Sequence, residues 1–189
     1  MESAAVLNLF RTSGALLEGH FRLSSGLHSN RYLQSALVLQ FPEHATALGR
    51  AIAERTAHLQ PTVVLSPALG GIVIGQEAAH ALGVRAIFAE RQDGALTLRR
   101  GFSLAPSDRV LIVEDVITTG GSTRETIAVA IAADARVLGA ASIIDRGSDP
   151  ARLSLPLYAL AQLVVPSYSP ESCPLCADDV PVTKPGSRG

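Results

Sequence analysis

Chemistry concentrates in one run of thirteen residues, Val110-Leu-Ile-Val-Glu-Asp-Val-Ile-Thr-Thr-Gly-Gly-Ser122. Val110 to Val113 read as a buried strand, and two acids, Glu114 and Asp115, stand at its carboxyl end. The small-residue turn Thr118-Thr119-Gly120-Gly121-Ser122 then opens a helix beginning near Ser122. Such a turn offers backbone N–H groups and hydroxyls without bulky side chains, and the helix start adds a favourable dipole, so it suits a phosphate. Glu114 and Asp115 avoid repelling that phosphate only by facing something else, such as sugar hydroxyls or a cation. A ribose with its diols fits. The plain alternative is a βα turn with ordinary strand-end acids. The run is neither a P-loop, which needs Gly-Lys-Ser/Thr, nor a dinucleotide fingerprint with its spaced glycines.

Ligands of open α/β sheets bind beyond the carboxyl ends of the strands, so the rest of the chain must build that edge. Short β-branched runs at Thr62–Ser66, Val84–Ala89, Arg109–Glu114, Val137–Asp145 and Tyr158–Val165 alternate with helical patterns at Gly71–Leu82 and Gly121–Ala133. The runs are nearly continuous in apolar residues, as parallel strands buried on both faces require. Ahead of them, Val6, Leu7, Phe10, Leu16 and Leu17 predict a helix over 2–17. Phe21–Leu33 reads as a loop or short hairpin, and Pro42–Leu59 as a second helix. The tail from Pro166, with Pro170, Pro174, Pro181 and Pro185, predicts an irregular surface segment.

Composition narrows the classes. The 189 residues carry 17 acidic and 16 basic side chains, a formal charge of −1, which disfavours a generally basic nucleic-acid binder. With 47% hydrophobic and 17% charged residues the chain is too apolar to be disordered. No apolar run has the roughly 20 residues of a membrane span, and no signal-peptide pattern opens the chain. A cytoplasmic protein with no membrane partner is the expectation. Of the 16 basic residues only Lys184 is a lysine, so a site needing a permanent cation is expected to use arginine.

The thirteen-residue run resembles the signature of phosphoribosyltransferases that use phosphoribosyl pyrophosphate. Four further segments are similar to the orotate phosphoribosyltransferase family: Phe21-Arg-Leu-Ser-Ser-Gly-Leu-His-Ser29, Pro67-Ala-Leu-Gly-Gly-Ile72, Phe88-Ala-Glu-Arg91 with Leu98-Arg-Arg-Gly-Phe102, and Ile143-Ile-Asp-Arg-Gly147. The resemblance implies the type I phosphoribosyltransferase fold, an α/β core with a central, mainly parallel sheet flanked by helices, under a small N-terminal hood. It divides the chain into a helix and hood at 1–40, the core at 41–165 and the tail at 166–189.

By the same resemblance, Leu69, Gly70 and Gly71 cradle pyrophosphate. Arg91 reaches it from the foot of a mobile catalytic loop over about Gln92–Phe102, with Gly94 and Gly101 bracketing the movement. Glu114 and Asp115, with Val116, Ile117, Thr118, Thr119, Gly120, Gly121 and Ser122, hold the ribose 5-phosphate. Asp115 is a catalytic candidate with Arg99 and Arg100. These arginines replace the lysines and histidine usual in that loop, and a guanidinium can stabilise charge there but cannot donate a proton. The other reading of Arg99 and Arg100 is a solvated basic turn. Arg146 pairs with the carboxylate of orotate, unless it serves a salt bridge with Asp145. Ser25, Gly26 and Thr118 complete the orotate site, Ser24 stands where many relatives place a lysine, and Tyr32 is lid, core or stacking ring.

The implied reaction has an oxocarbenium-like transition state, no protein nucleophile, and magnesium (Mg2+) held mainly by substrate oxygens and water rather than directly by the protein. The implied assembly is a homodimer whose loops reach the neighbouring site. Rival readings are transfer to another base, disfavoured by Asp145-Arg146-Gly147, and a phosphoribosyl pyrophosphate-sensing regulator, disfavoured by the charge. Cys173-Pro-Leu-Cys176 has the spacing of half a zinc knuckle, but the tail supplies no other ligand. A metal shared between chains or completed by distant histidines, a redox-linked or disulfide pair, and plain structural thiols stay open.

Overall fold

The computed structural model describes residues 1–23, 25–147 and 153–184, so Ser24 and Pro185 lie outside the described residues. In chain order the elements are α1 (Ser3–Thr12), β1 (Leu16–Arg22), β2 (His28–Leu33), α2 (Ala36–Leu39), α3 (Pro42–Thr56), β3 (Val63–Pro67), α4 (Gly70–Leu82), β4 (Arg85–Gln92), β5 (Ala95–Leu98), β6 (Arg109–Ile117), α5 (Gly121–Ala132), β7 (Arg136–Asp145), β8 (Leu157–Gln162), β9 (Ser167–Tyr168) and α6 (Pro174–Ala177).

Six strands form the main sheet in the order β5-β4-β3-β6-β7-β8. All neighbours run parallel except β5, which is antiparallel to β4. Successive side chains of a strand point to opposite faces, and both faces here are covered. Val64, Leu111, Val113 and Ile143 therefore join one core cluster with α1, α3 and α4, whereas Val63, Leu65, Val110 and Ile112 join another with Ile127 of α5. Each fully buried side chain of this size contributes about 1.5–3 kcal/mol.

From β3 the chain moves to β4 on one side and later returns with β6 on the other. That reversal is the topological switch point, where a crevice opens between neighbouring turns. The turns after β3 and β6 thus face one another.

Four local expectations change. The helix predicted over 2–17 stops at Thr12, because Gly14 adopts φ 68° and the Ala15 amide closes on the Phe10 carbonyl at 2.8 Å. Leu16 and Leu17 then enter β1. Helix α3 ends at Thr56, and Ala57–Leu59 tighten into a 3-10 turn. The expected loop over Gln92–Phe102 is mostly a hairpin, since Asp93 and Gly94 both take positive φ, 51° and 88°, as a two-residue turn between β4 and β5 requires. Among its described residues the tail is only partly irregular, with a short strand, a 3-10 turn and the one-turn helix α6. Strand β9 pairs with β2 through His28–Tyr168 and Ser29–Ser167, completing a second sheet, β1-β2-β9, and covering an edge that the hairpin alone leaves open.

Candidate active site

Strand β6 carries its acids to the edge of the sheet. Glu114, Asp115 and Val116 are half-buried, Ile117 sinks into the core, and Thr118 and Thr119 emerge exposed. Gly120 follows in the left-handed region at φ 76°, and a Cβ there would come within 2.6 Å of Leu153. Only glycine makes this approach to α5, whose first amides then point outward.

Opposite, α4 begins at Gly70, next to exposed Leu69 and the cis Ala68–Leu69 peptide. A Cβ on Gly70 would lie 2.8 Å from Asp115 Oδ2 and 2.9 Å from Oδ1. The Asp115 carboxylate therefore rests on bare backbone at the start of α4. Two helix starts and one carboxylate meet in one crevice.

Both acids there are largely shielded from solvent. Burial pushes the Glu114 carboxyl up to about 7, the O–H of Thr123 donates to it and works the other way, and the Asp115 charge adds to the rise. Burial also raises Asp115, opposed by the Val116 amide and the Ser35 hydroxyl. That hydroxyl is buried beside the carboxylate without a well-aligned partner. Two crowded carboxylates favour a ligand that brings hydroxyl donors or positive charge. Sugar hydroxyls or a hydrated divalent cation match that donor set.

Between this edge and the second sheet lies a cavity of about 660 Å³. The core lines it with Asp115, Val116, Thr118, Thr119 and Arg146, the hood with Arg22, Ser25, Tyr32 and Gln34, and the tail with Ser167 and Lys184. Arg146 follows β7, and its amide donates to the Ile117 carbonyl at 2.8 Å. Its side-chain Nε is buried with no hydrogen-bond partner, and among the described residues no carboxylate pairs with it. Burial lowers its pKa, opposed by Tyr32. Asp145, the alternative partner, instead accepts the Gly147 amide at 2.8 Å. Arg22, Arg146 and Lys184 outnumber the one lining carboxylate, so the cavity suits an anion.

Most candidates from the sequence converge here. Gly121 and Ser122 form the first turn of α5, and Gly70 and Gly71 that of α4. Gly26 sits at φ 85° in the hood turn beside Ser25, its amide bonded to the Leu23 carbonyl at 2.9 Å. Ile117 offers only its backbone, because its side chain is core. Tyr32 lines the cavity with its ring 5.9 Å from that of Phe21.

The β4–β5 arginines lie outside this cavity. Arg91 pairs with Glu125 at 2.9 Å and donates to the Gly94 carbonyl. Arg100 grips Glu90 with two bonds of 2.6 and 2.8 Å, and Arg99 is exposed. Sequence reasoning missed Arg22, Gln34, Ser167 and Lys184. Arginine was expected to supply every cation, yet the tail delivers the single lysine: Thr183 accepts the Arg22 amide and donates its own amide to the His20 carbonyl, both at 2.8 Å. The signal available was the anchoring potential of the cysteine pair just ahead of Lys184.

A model of the phosphoribosyl transferase domain matches residues 37–161. An orotate phosphoribosyltransferase of Chlorobium phaeobacteroides is 50% identical over 188 residues, covering 100% of this chain and 97% of that relative. One from Heliobacterium modesticaldum is 50% identical over 190 residues, covering 100% of each. Among solved structures, the orotate phosphoribosyltransferase of Mycobacterium tuberculosis in complex with 5-phospho-alpha-D-ribosyl 1-diphosphate superposes with a TM-score of 0.68 at 25% identity, covering 85% of this chain and 96% of that one.

Proposed function

The chain belongs to the phosphoribosyltransferase family, among its orotate-using members, and from that premise we propose how its cavity performs the reaction. Orotate phosphoribosyltransferases move ribose 5-phosphate from phosphoribosyl pyrophosphate to orotate, giving orotidine 5′-monophosphate and pyrophosphate in de novo pyrimidine (UMP) biosynthesis. The observation that carries the substrate reading is Arg146, a half-buried guanidinium at the cavity whose buried Nε has no partner among the described residues. A planar carboxylate satisfies it with two parallel bonds. Uracil lacks that group and would leave the charge unpaired, which is how a polar site rejects an analogue.

In this reading the 5′-phosphate sits on the Thr118–Ser122 turn, where the α5 amides and the threonine hydroxyls receive it. Asp115 and Glu114 accept hydrogen bonds from the ribose hydroxyls, and the amides of Gly70 and Gly71 receive pyrophosphate. Charge develops on the leaving oxygen and the ribose ring, so these groups act by position and electrostatics. The carboxylates of Glu114 and Asp115 are donors that would also suit magnesium, which would neutralise charge on the departing pyrophosphate.

Arg99 and Arg100 stand exposed and away from the cavity of their own chain. That placement supports a homodimer in which each β4–β5 hairpin serves the neighbour's site, with Arg91 at its foot.

The test is direct. Purified protein with magnesium and phosphoribosyl pyrophosphate should consume orotate, followed by its ultraviolet absorbance, and leave uracil and hypoxanthine untouched. Turnover of either control base without orotate turnover would overturn the reading.

A further inference from the structure

Away from the cavity, four side chains able to bind a soft divalent metal converge. His20 of β1, His28 of β2, and Cys173 and Cys176 at the start of α6 each place one ligand atom so that all lie within 4.8 Å of one another. His20 Nε2 is 3.5 Å from Cys173 Sγ and 3.8 Å from Cys176 Sγ, while His28 Nδ1 is 3.2 Å from Cys176 Sγ and 2.8 Å from His20 Nε2. Zinc bonds to nitrogen and sulfur make a tetrahedron with edges of about 3.3–3.8 Å. These three sulfur–nitrogen distances are close to that size, and the two nitrogens would part by roughly 0.5 Å on binding.

Three further observations support a ligand. His20 Nδ1 lies 2.7 Å from the Val180 carbonyl, so it must carry the proton, which leaves the Nε2 lone pair aimed at the cluster. His20, His28 and Cys173 are buried, and only Cys176 reaches the surface. Two thiolates and two neutral imidazoles also carry a charge of about −2, matching one divalent cation.

We propose that His20, His28, Cys173 and Cys176 form a closed, structural Cys2His2 zinc site that staples the C-terminal tail onto the hood hairpin. All four positions of the tetrahedron are filled by side chains, so none is open for catalysis. The staple lies between the β9–β2 pairing, which holds Ser167, and the Phe21–Thr183 bridge next to Lys184, and both residues line the cavity wall.

Elemental analysis of tag-free protein purified under reducing conditions should find one zinc per chain that survives gel filtration. Both thiols should resist a thiol reagent until a chelator is added, and chelation should lower Tm by at least about 5 °C, restored by zinc. Cobalt in place of zinc should give the intense visible bands of tetrahedral thiolate coordination. The surface-proximal Cys176→Ser should lose the cobalt spectrum. These measurements on the unaltered protein decide the matter even if that variant fails to fold. Reduced protein that retains neither zinc nor cobalt after loading, or a Cys173–Cys176 disulfide in freshly purified protein seen as a mass lower by two hydrogens, would overturn the proposal.

Discussion

The carboxyl edge of the sheet and the β4–β5 hairpin both display arginine, but they treat its charge in opposite ways. On the hairpin, Arg100 is held by Glu90, which its guanidinium keeps below the usual carboxylate range, and Arg91 by Glu125. At the edge, Arg146 is half-buried, its Nε has no partner, and the nearby acids Glu114 and Asp115 are pushed toward their neutral forms by burial. Exposed ion pairs contribute little to stability because water and salt screen them. A buried unpaired charge costs folding free energy, so its presence points to a ligand that supplies the missing partner.

Breaking the edge should have the largest effect. Arg146→Ala should reduce kcat/KM for orotate by roughly 30- to 5000-fold, the consequence of removing one member of a buried charge pair worth about 2–5 kcal/mol. Affinity for phosphoribosyl pyrophosphate, measured by calorimetry, should stay largely intact; an equal loss of both would assign Arg146 a structural role.

Next comes complementation between the two regions. An Arg99→Ala/Arg100→Ala chain and an Arg146→Ala chain should each be nearly inactive, whereas an equimolar refolded mixture should recover about a quarter of wild-type activity if sites are shared across a two-fold dimer. No recovery, with mixed dimers shown to be present, would place each hairpin with its own cavity.

A smaller effect is expected at Gly70→Ala, where the added Cβ would meet Asp115 Oδ2 at 2.8 Å. Displacing that carboxylate should lower kcat/KM by about 10- to 100-fold while Tm changes by only a few degrees, since misplacement near 1 Å costs about that much. Unchanged activity would remove Asp115 from the site.

The smallest effect is a pH slope. Glu114 is raised from its ordinary 4.5 to about 7 by burial, so between those values the folded chain keeps a proton that the unfolded chain releases. Stability should therefore fall as pH rises through this window, by on the order of 1–3 kcal/mol, and level off above it. Glu114→Gln should flatten that slope relative to wild type in urea melts. Parallel curves for the two proteins would show that burial does not hold the proton.

Much of the sheet was legible because its signal is local. Strands β3, β4, β6, β7 and β8 lie where the apolar runs predicted, since a strand covered on both faces needs both side-chain parities apolar. Strand β5 was not, because the four residues Ala95–Leu98 carry no pattern beyond that of a loop until Asp93 and Gly94 turn them back onto β4. Leu16 and Leu17 misled for a related reason: an adjacent apolar pair satisfies a helix or a strand, and Gly14 decided between them.

The run from Val110 to Ser122 is contiguous, so sequence by itself determined the acids at a strand end, the phosphate turn and the helix behind it. Backbone chemistry and side-chain period act over a few residues and are written in their order. Only the tertiary structure seated Gly70 against Asp115, opened Arg146 onto a cavity, and drew Lys184 to its wall. It alone set Cys173 beside His20, 153 positions away. Such meetings depend on which strand edges pair and which faces bury, and no spacing along the chain encodes them.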